Sequence, residues 1–247
     1  MTVSSGSPLA PKVVRGAFVR LDEIGIGVVP QVIAFQYNPE TLTRKLKPYE
    51  QPADKQGTPQ DPAARAAPYD PEEEMDVAIA FDAMDDLAEP DRHPQTVISG
   101  VADRISALEM LMYPPATPSL LTSAVGALAG ALGIGGGADP VPTTTEVPIV
   151  LFVWGPGRIV PVKITTFSVE EQAFNSALYP IRAKVTVGIR VLTADYFTSK
   201  LTEKGARLTA AESIAATAYR AAVEQKKVLA AVGVASTVES VLATLPF

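Results

Sequence analysis

The chain has 247 residues, 47% of them hydrophobic, with 21 basic against 27 acidic side chains and a net charge of −6. That is enough apolar material for one large domain or a domain with an appendage, and the acid excess excludes the basic footprint of a nucleic-acid binder. The absence of cysteine excludes disulfides, thiolate metal sites and cysteine nucleophiles, which suits a reducing cytoplasm.

The leader MTVSSGSPLAPK lacks a basic n-region and an apolar h-region, so no secretory signal is expected. KVVRGAFVRLD (12–22) and VVPQVIAFQY (28–37), rich in β-branched and aromatic residues around EIGIG, predict a β-hairpin. The second run stops at Asn38-Pro39. Asn38 supplies a side-chain acceptor for an Asx-type turn and Pro39 fixes φ at the next position, so NPET turns the chain. Residues 48–71 are dominated by Pro, Gln, Ala, Asp and Gly without apolar periodicity and predict a long loop. MDVAIAFDA (75–83) alternates Met75, Val77, Ile79 and Phe81 against Asp76, Ala78, Ala80 and Asp82, the pattern of a half-buried strand.

In 94–112, Val97, Ile98, Val101, Ile105, Leu108 and Met112 fall at helical spacing after Pro94, and YPP ends the helix. The uncharged stretch 119–138 approaches the length of a membrane span, but its Ala and Gly content makes insertion poor, and no span is expected. It reads as part of an insertion packed on its own domain or on a neighbour. EVPIVLFVWG (146–155) is a continuous apolar run, expected of a strand buried on both faces. Pro156-Gly157 stand in the order of a type II turn, and RIVPVKITTFSVEEQAF returns from it. In IRAKVTVGIRV, Ile181, Ala183, Val185, Val187, Ile189 and Val191 alternate against Arg182, Lys184, Thr186, Gly188 and Arg190. The Ala-rich C-terminal segment predicts a helical arm in two pieces divided near Gly233.

No constellation here amounts to a reaction. His93 stands alone before Pro94 and reads as a surface or capping residue. The acids of 70–76 and the group Asp82, Asp85, Asp86, Glu89 and Asp91 lack EF-hand spacing. GIGGG (133–137) lacks the Gly-Lys-Ser/Thr of a phosphate loop. An enzyme is therefore not expected, nor a cofactor or metal. Trp154, the sole tryptophan, suits either a core or interface position or a ligand-stacking one.

Several spaced motifs occur in one order: Phe35, Tyr37, Asn38 and Pro39; then Phe81 and Asp82; then Phe152, Trp154 and Gly155; then Pro180, Arg182 and Ala183. Over about residues 12–197 this resembles the tube-type proteins of contractile injection systems, the phage-tail-like particles of bacteria. Within them it most resembles the baseplate member that joins the inner tube to the spike and hub. The resemblance implies an α+β fold: an antiparallel β-barrel or strongly bent sandwich of the phage tail-tube type with one packed helix and a helical C-terminal extension. The tube-like domain spans 1–197, with the loop 48–71 and an insertion at 116–145, and the Ala-rich arm spans 198–247.

It further implies a sixfold ring of copies around an axial channel. The partners are inner tube, spike or hub, and sheath or wedge proteins, in a particle assembled in the bacterial cytoplasm. Arg182, Lys184 and Arg190 line the channel in that reading, or pair with acids such as Asp76 and Asp82 of a neighbour. Two departures stand out: an Ala-rich arm replaces the LysM module many relatives carry, and the insertion lengthens the link before the Trp-Gly strand. The alternative is a β-barrel peptide- or glycan-binding module with Trp154 in its pocket.

Overall fold

The computed structural model describes residues 14–24, 27–48, 70–113, 147–204 and 207–244. Apart from Pro48, Asp70 and Pro71, the expected loop 48–71 lies outside them, as does the insertion 116–145 with its GIGGG. Seven strands form: β1 (Ala17–Ile24), β2 (Gly27–Ala34), β3 (Leu42–Lys47), β4 (Glu72–Asp82), β5 (Ile149–Val153), β6 (Ile159–Phe174) and β7 (Pro180–Val191). The helices are α1 (Met84–Ala88), α2 (Pro94–Ser99), α3 (Ala102–Glu109), α4 (Ala194–Lys204) and α5 (Ala210–Thr244).

All strands join one antiparallel sheet in the order β2-β1-β5-β6-β7-β4-β3. The chain is thus an α+β protein, and the hairpins expected from β1–β2 and β5–β6 both form.

Period-two alternation decides the burial. On β4, Met75, Val77, Ile79 and Phe81 are buried, and on β7, Ala183, Val185, Val187, Ile189 and Val191. They share one core with Phe18 of β1, Val150 and Phe152 of β5, Val160 and Val162 of β6, and Ile105 and Leu108 of α3. Strands from both halves of the sheet therefore close on one interior. Each fully buried Phe, Leu or Ile there contributes about 1.5–3 kcal/mol from area removed from water.

A second cluster lies on the opposite face of β1 and β5, where Leu21 and Leu151 meet Phe197 of α4 and Ala211, Ala215 and Ala216 of α5. The continuous apolar run of β5 is thereby explained. Val150 and Phe152 enter one cluster, Leu151 the other.

Three local expectations are corrected. The single helix over 94–112 is two, broken at Gly100, which has φ +57°. A Cβ there would stand 2.1 Å from the Pro180 carbonyl oxygen, which also accepts the Val101 N–H at 2.8 Å. The expected apolar face holds only after the break: Val101, Ile105 and Leu108 are buried in the core, whereas Val97 and Ile98 of α2 are exposed. In the β5–β6 turn the positive φ, +77°, belongs to Gly155 and not to Gly157, so the type II turn is not formed. Gly157 lies instead against the Gln225 side chain of α5, where any Cβ would clash.

Third, α5 runs through Gly233 without a break. A glycine there costs a helix only about 1 kcal/mol relative to alanine, too little against the flanking Ala-rich sequence. The division falls earlier, between Lys204 and Ala210, where Thr209 and Glu212 form a capping box: Glu212 accepts the Thr209 N–H at 2.8 Å and donates its own N–H to Thr209 Oγ1 at 3.3 Å. The first turns of α5 cover the β1–β5 face, whereas Val228, Leu229, Val232 and Val234 are exposed. Among the described residues no helix is long and apolar enough to cross a membrane.

Candidate assembly surfaces

The twelve motif residues separate into two groups. In the first, Phe35 is buried against Phe18 (ring centroids 5.4 Å), and Trp154 stacks on Phe152 at 6.0 Å and 17°. Asn38 ties this group to the start of β1. Its Oδ1 accepts the Gly16 N–H at 2.8 Å and its Nδ2 donates to the Val14 carbonyl at 2.9 Å, so the side-chain amide continues the β1–β2 ladder after β2 has ended. The strand does stop before Asn38-Pro39, but the local Asx turn is corrected: the acceptor serves a residue 22 positions away. Pro39 follows in the bend, and Gly155 opens the turn after Trp154.

The second group surrounds a cleft of about 410 Å³ at the Asp82 end of β4. Ala78 and Ala80 form its floor, with Tyr37, Phe81, Asp82, Gln172, Arg182, Ala183 and Lys184 around them. Arg182 Nε donates to Asp82 at 2.8 Å, and Arg190 pairs with Glu74 at 2.8 Å further along the same face. These arginines are therefore matched within the chain, which corrects the expectation that they await acids of a neighbour; Asp76 likewise pairs with Lys45. Partial burial and the charges of Asp85 and Asp82 push the Tyr37 phenol above its ordinary range. Pro180, two residues before Arg182 on β7, receives the Val101 N–H described above.

Two polar residues overlooked in the sequence, Gln36 and Arg104, hold this end together with Asp86. The Gln36 amide pairs with both backbone groups of Asp82, donating to its carbonyl at 2.7 Å and accepting its N–H at 3.0 Å. It thereby takes the place of a neighbouring strand where β3 no longer covers β4, blunting that edge. Arg104 of α3 donates to Gln36 Oε1 at 2.8 Å and forms a short ion pair with Asp86 of α1. His93 lies at the N-cap of α2 with Nδ1 3.9 Å from Asp86.

At the other end, Glu73 is buried between Arg44 of β3 (2.7 Å) and Lys226 of α5 (2.6 Å). Burial alone raises a carboxyl pKa, but the Lys226 bond and the charges of Lys226 and Arg44 outweigh it and hold Glu73 below its usual range. The signal was available: Glu73 shares the parity of Met75, Val77, Ile79 and Phe81, though the acidic run around it reads as solvated. Arg20 follows the same logic. Sharing the face of Phe18, it is buried with Asp22 at 2.6 Å and donates to the Met110 carbonyl beyond α3. Among the described residues no cluster of His, Cys, Asp or Glu converges to hold a metal.

The sheet also has an asymmetry of edges. β5 pairs with β6 only over Ile159–Val162, while β7 follows β6 to Phe174. From Lys163 to Phe174 one side of β6 thus has no partner strand among the described residues. The outer side of β3, from Leu42 to Lys47, has none either. No known protein-family model matches the chain, and no curated protein does.

Proposed function

We propose that the chain is a structural, non-enzymatic component of a contractile injection system. In this reading six copies close into a ring at the baseplate, linking the inner tube to the hub or spike around an axial channel. The particle assembles in the bacterial cytoplasm. The observation that carries the reading is that, of the strand edges without a partner strand among the described residues, which include the outer side of β2, two are charged: a dozen residues of β6 and the outer side of β3. The far part of the β6 edge carries Glu170 and Glu171, with Lys163 at its near end, and β3 carries Lys47 beside Arg44 and Lys45, which pair with Glu73 and Asp76. Exposed strand edges invite pairing with another chain, and a head-to-tail contact between two different edges closes into a ring when its rotation permits.

The polar face of β4, β7 and β6 then turns to the channel. Its internally matched pairs Arg182–Asp82 and Arg190–Glu74 leave a lumen of mixed charge. The motif resemblance supplies the sixfold copy number and the identity of the partners.

Sedimentation of the purified chain, with imaging of the particles it forms, tests this directly. Closed sixfold rings are expected; a monomer at all concentrations refutes the reading. Glu170→Lys weakens the ring most at low salt, and Lys47→Glu in the same chain restores it. The cleft beside Tyr37 favours a second reading, a peptide- or glycan-binding module, although Trp154, expected in its pocket, stacks on Phe152 and does not line this cleft. Saturable binding of such a ligand by a monomer, lost in Tyr37→Ala, decides for it.

A further inference from the structure

The tip of the β6–β7 hairpin carries a concentration of exposed apolar side chains. Leu178 is 79% exposed, Phe174 50% and Tyr179 43%, and Ile98 of the adjoining α2 is 69% exposed. The tip is not a loose loop. Asn175 Oδ1 accepts the N–H groups of Ala177 and Tyr179, both at 2.9 Å, and its Nδ2 donates to the Ile98 carbonyl at 3.2 Å, wiring the hairpin to α2. Two non-glycine residues there hold positive φ: Leu178 at +64° and Ala173 at +50°. Such backbone is disfavoured for side chains bearing a Cβ and persists only where the surroundings impose it. A strained, internally braced turn that places a large apolar residue in water is built for a contact.

The same chain carries a matching recess. Where β5 parts from β6, Leu111, Pro148, Ile149, Val162, Ile164 and Tyr196 line an apolar groove of about 440 Å³. Lys163 stands at its rim, exposed and without an ion-pair partner among the described residues. Beside the tip, Glu171 is likewise exposed and unpaired among them. Tip and groove lie at opposite ends of the β6–β7 ladder, ten residues apart on β6 from Ile164 to Phe174, or ~33 Å at the rise of a strand. One chain cannot bring them together.

We infer that the braced hairpin tip, with Leu178 as its anchor, inserts into the β5–β6 groove of a second copy of this chain, with Glu171 meeting Lys163 across the rim. Because the two surfaces differ, the contact is head-to-tail, and a buried apolar anchor in a pocket is the arrangement that dominates binding energy at such contacts. It rests on the proposed function only for what the joined copies build: it connects them through the ends of the ladder, separately from the edge pairing of β6 with β3.

The cysteine-free chain gives a clean test. Ala177→Cys, beside the anchor and exposed, and Pro148→Cys are made singly and together, with a short bismaleimide as the probe. The double variant is expected to give a covalent ladder of chains, and a mixture of the two single variants to give dimers and nothing larger. Absence of cross-links between copies, as when the groove is filled from within its own chain, overturns the inference. So does linkage of Ala177→Cys to itself, which requires a symmetric contact.

Leu178→Asp, at an exposed position, is expected to keep the wild-type melting temperature and to raise at least tenfold the concentration needed for end-joined assemblies. Unchanged end-joining in that variant also overturns the inference. Ladders from a wild-type background that forms no sixfold ring preserve this contact and refute only the ring.

Discussion

Asn38→Ala tests the central structural claim about the motif, that its asparagine acts across the fold and not within its own turn. The substitution removes two hydrogen bonds, to Gly16 N–H at 2.8 Å and to the Val14 carbonyl at 2.9 Å. Gly16 is buried, so its N–H loses its partner without gaining water, at a cost of about 1–3 kcal/mol. The Val14 side is exposed, and losing that bond costs about 0.5–1.5 kcal/mol. The sum, about 2–4 kcal/mol, corresponds to a melting temperature lower by roughly 5–15 °C for a chain of this size.

Thermal and urea unfolding followed by the single tryptophan, Trp154, reads the loss, because its ring belongs to the aromatic group that Asn38 anchors. Amide hydrogen exchange at Gly16 reads the specific bond and is expected to accelerate. Asn38→Ser separates the two accounts: a serine hydroxyl still serves a local turn but cannot make both bonds to β1, so it should lose nearly as much as alanine. Wild-type stability in the serine variant, or unchanged exchange at Gly16 in the alanine variant, refutes the argument.

Two further perturbations probe the frame around the surfaces. Gly100→Ala is expected to destabilise by more than the ~1–3 kcal/mol that such sparsely populated backbone costs a residue with a Cβ, because its Cβ would also collide with the Pro180 carbonyl; equal melting temperatures for variant and wild type would show that the junction yields freely. Glu73 has its folded pKa below the unfolded value, so its contribution is present above about pH 4.3 and is lost as pH falls through the folded value. Glu73→Gln should therefore melt lower than wild type near pH 7 and converge with it in acid, and a gap that stays constant with pH contradicts the Arg44–Glu73–Lys226 bridge.

Much of the sheet was legible. In β4 and β7 the alternation identified both faces, because neighbouring side chains on a strand must point opposite ways whatever the strand later pairs with. In β5 an unbroken apolar run announced two covered faces. The helical region was legible in its later core positions, Val101, Ile105 and Leu108, but not in its break, which answers to a carbonyl on β7 and leaves Val97 and Ile98 exposed. Of the site, Tyr37, Asp82 and Arg182 were named from their motifs and do meet around one cleft. Gln36 and Arg104 were passed over, because nothing in their neighbours reveals that one caps a strand edge and the other binds it from a helix.

The sequence by itself determined the properties that arise over a few residues: which side chains face inward, where Asn-Pro ends a strand, and where an Ala-rich stretch forms helix. Tertiary structure alone decided which groups meet across long separations: Asn38 with Gly16, Glu73 with Lys226, and Arg182 with Asp82 in its own chain. It also decided that β5 begins only at Ile149, leaving β6 beyond Val162 without a partner on that side among the described residues, and that the braced hairpin tip and the apolar groove lie beyond each other's reach. Local pattern reflects the geometry of one backbone segment, whereas these pairings depend on how the strands are ordered and how far each runs beside its neighbour.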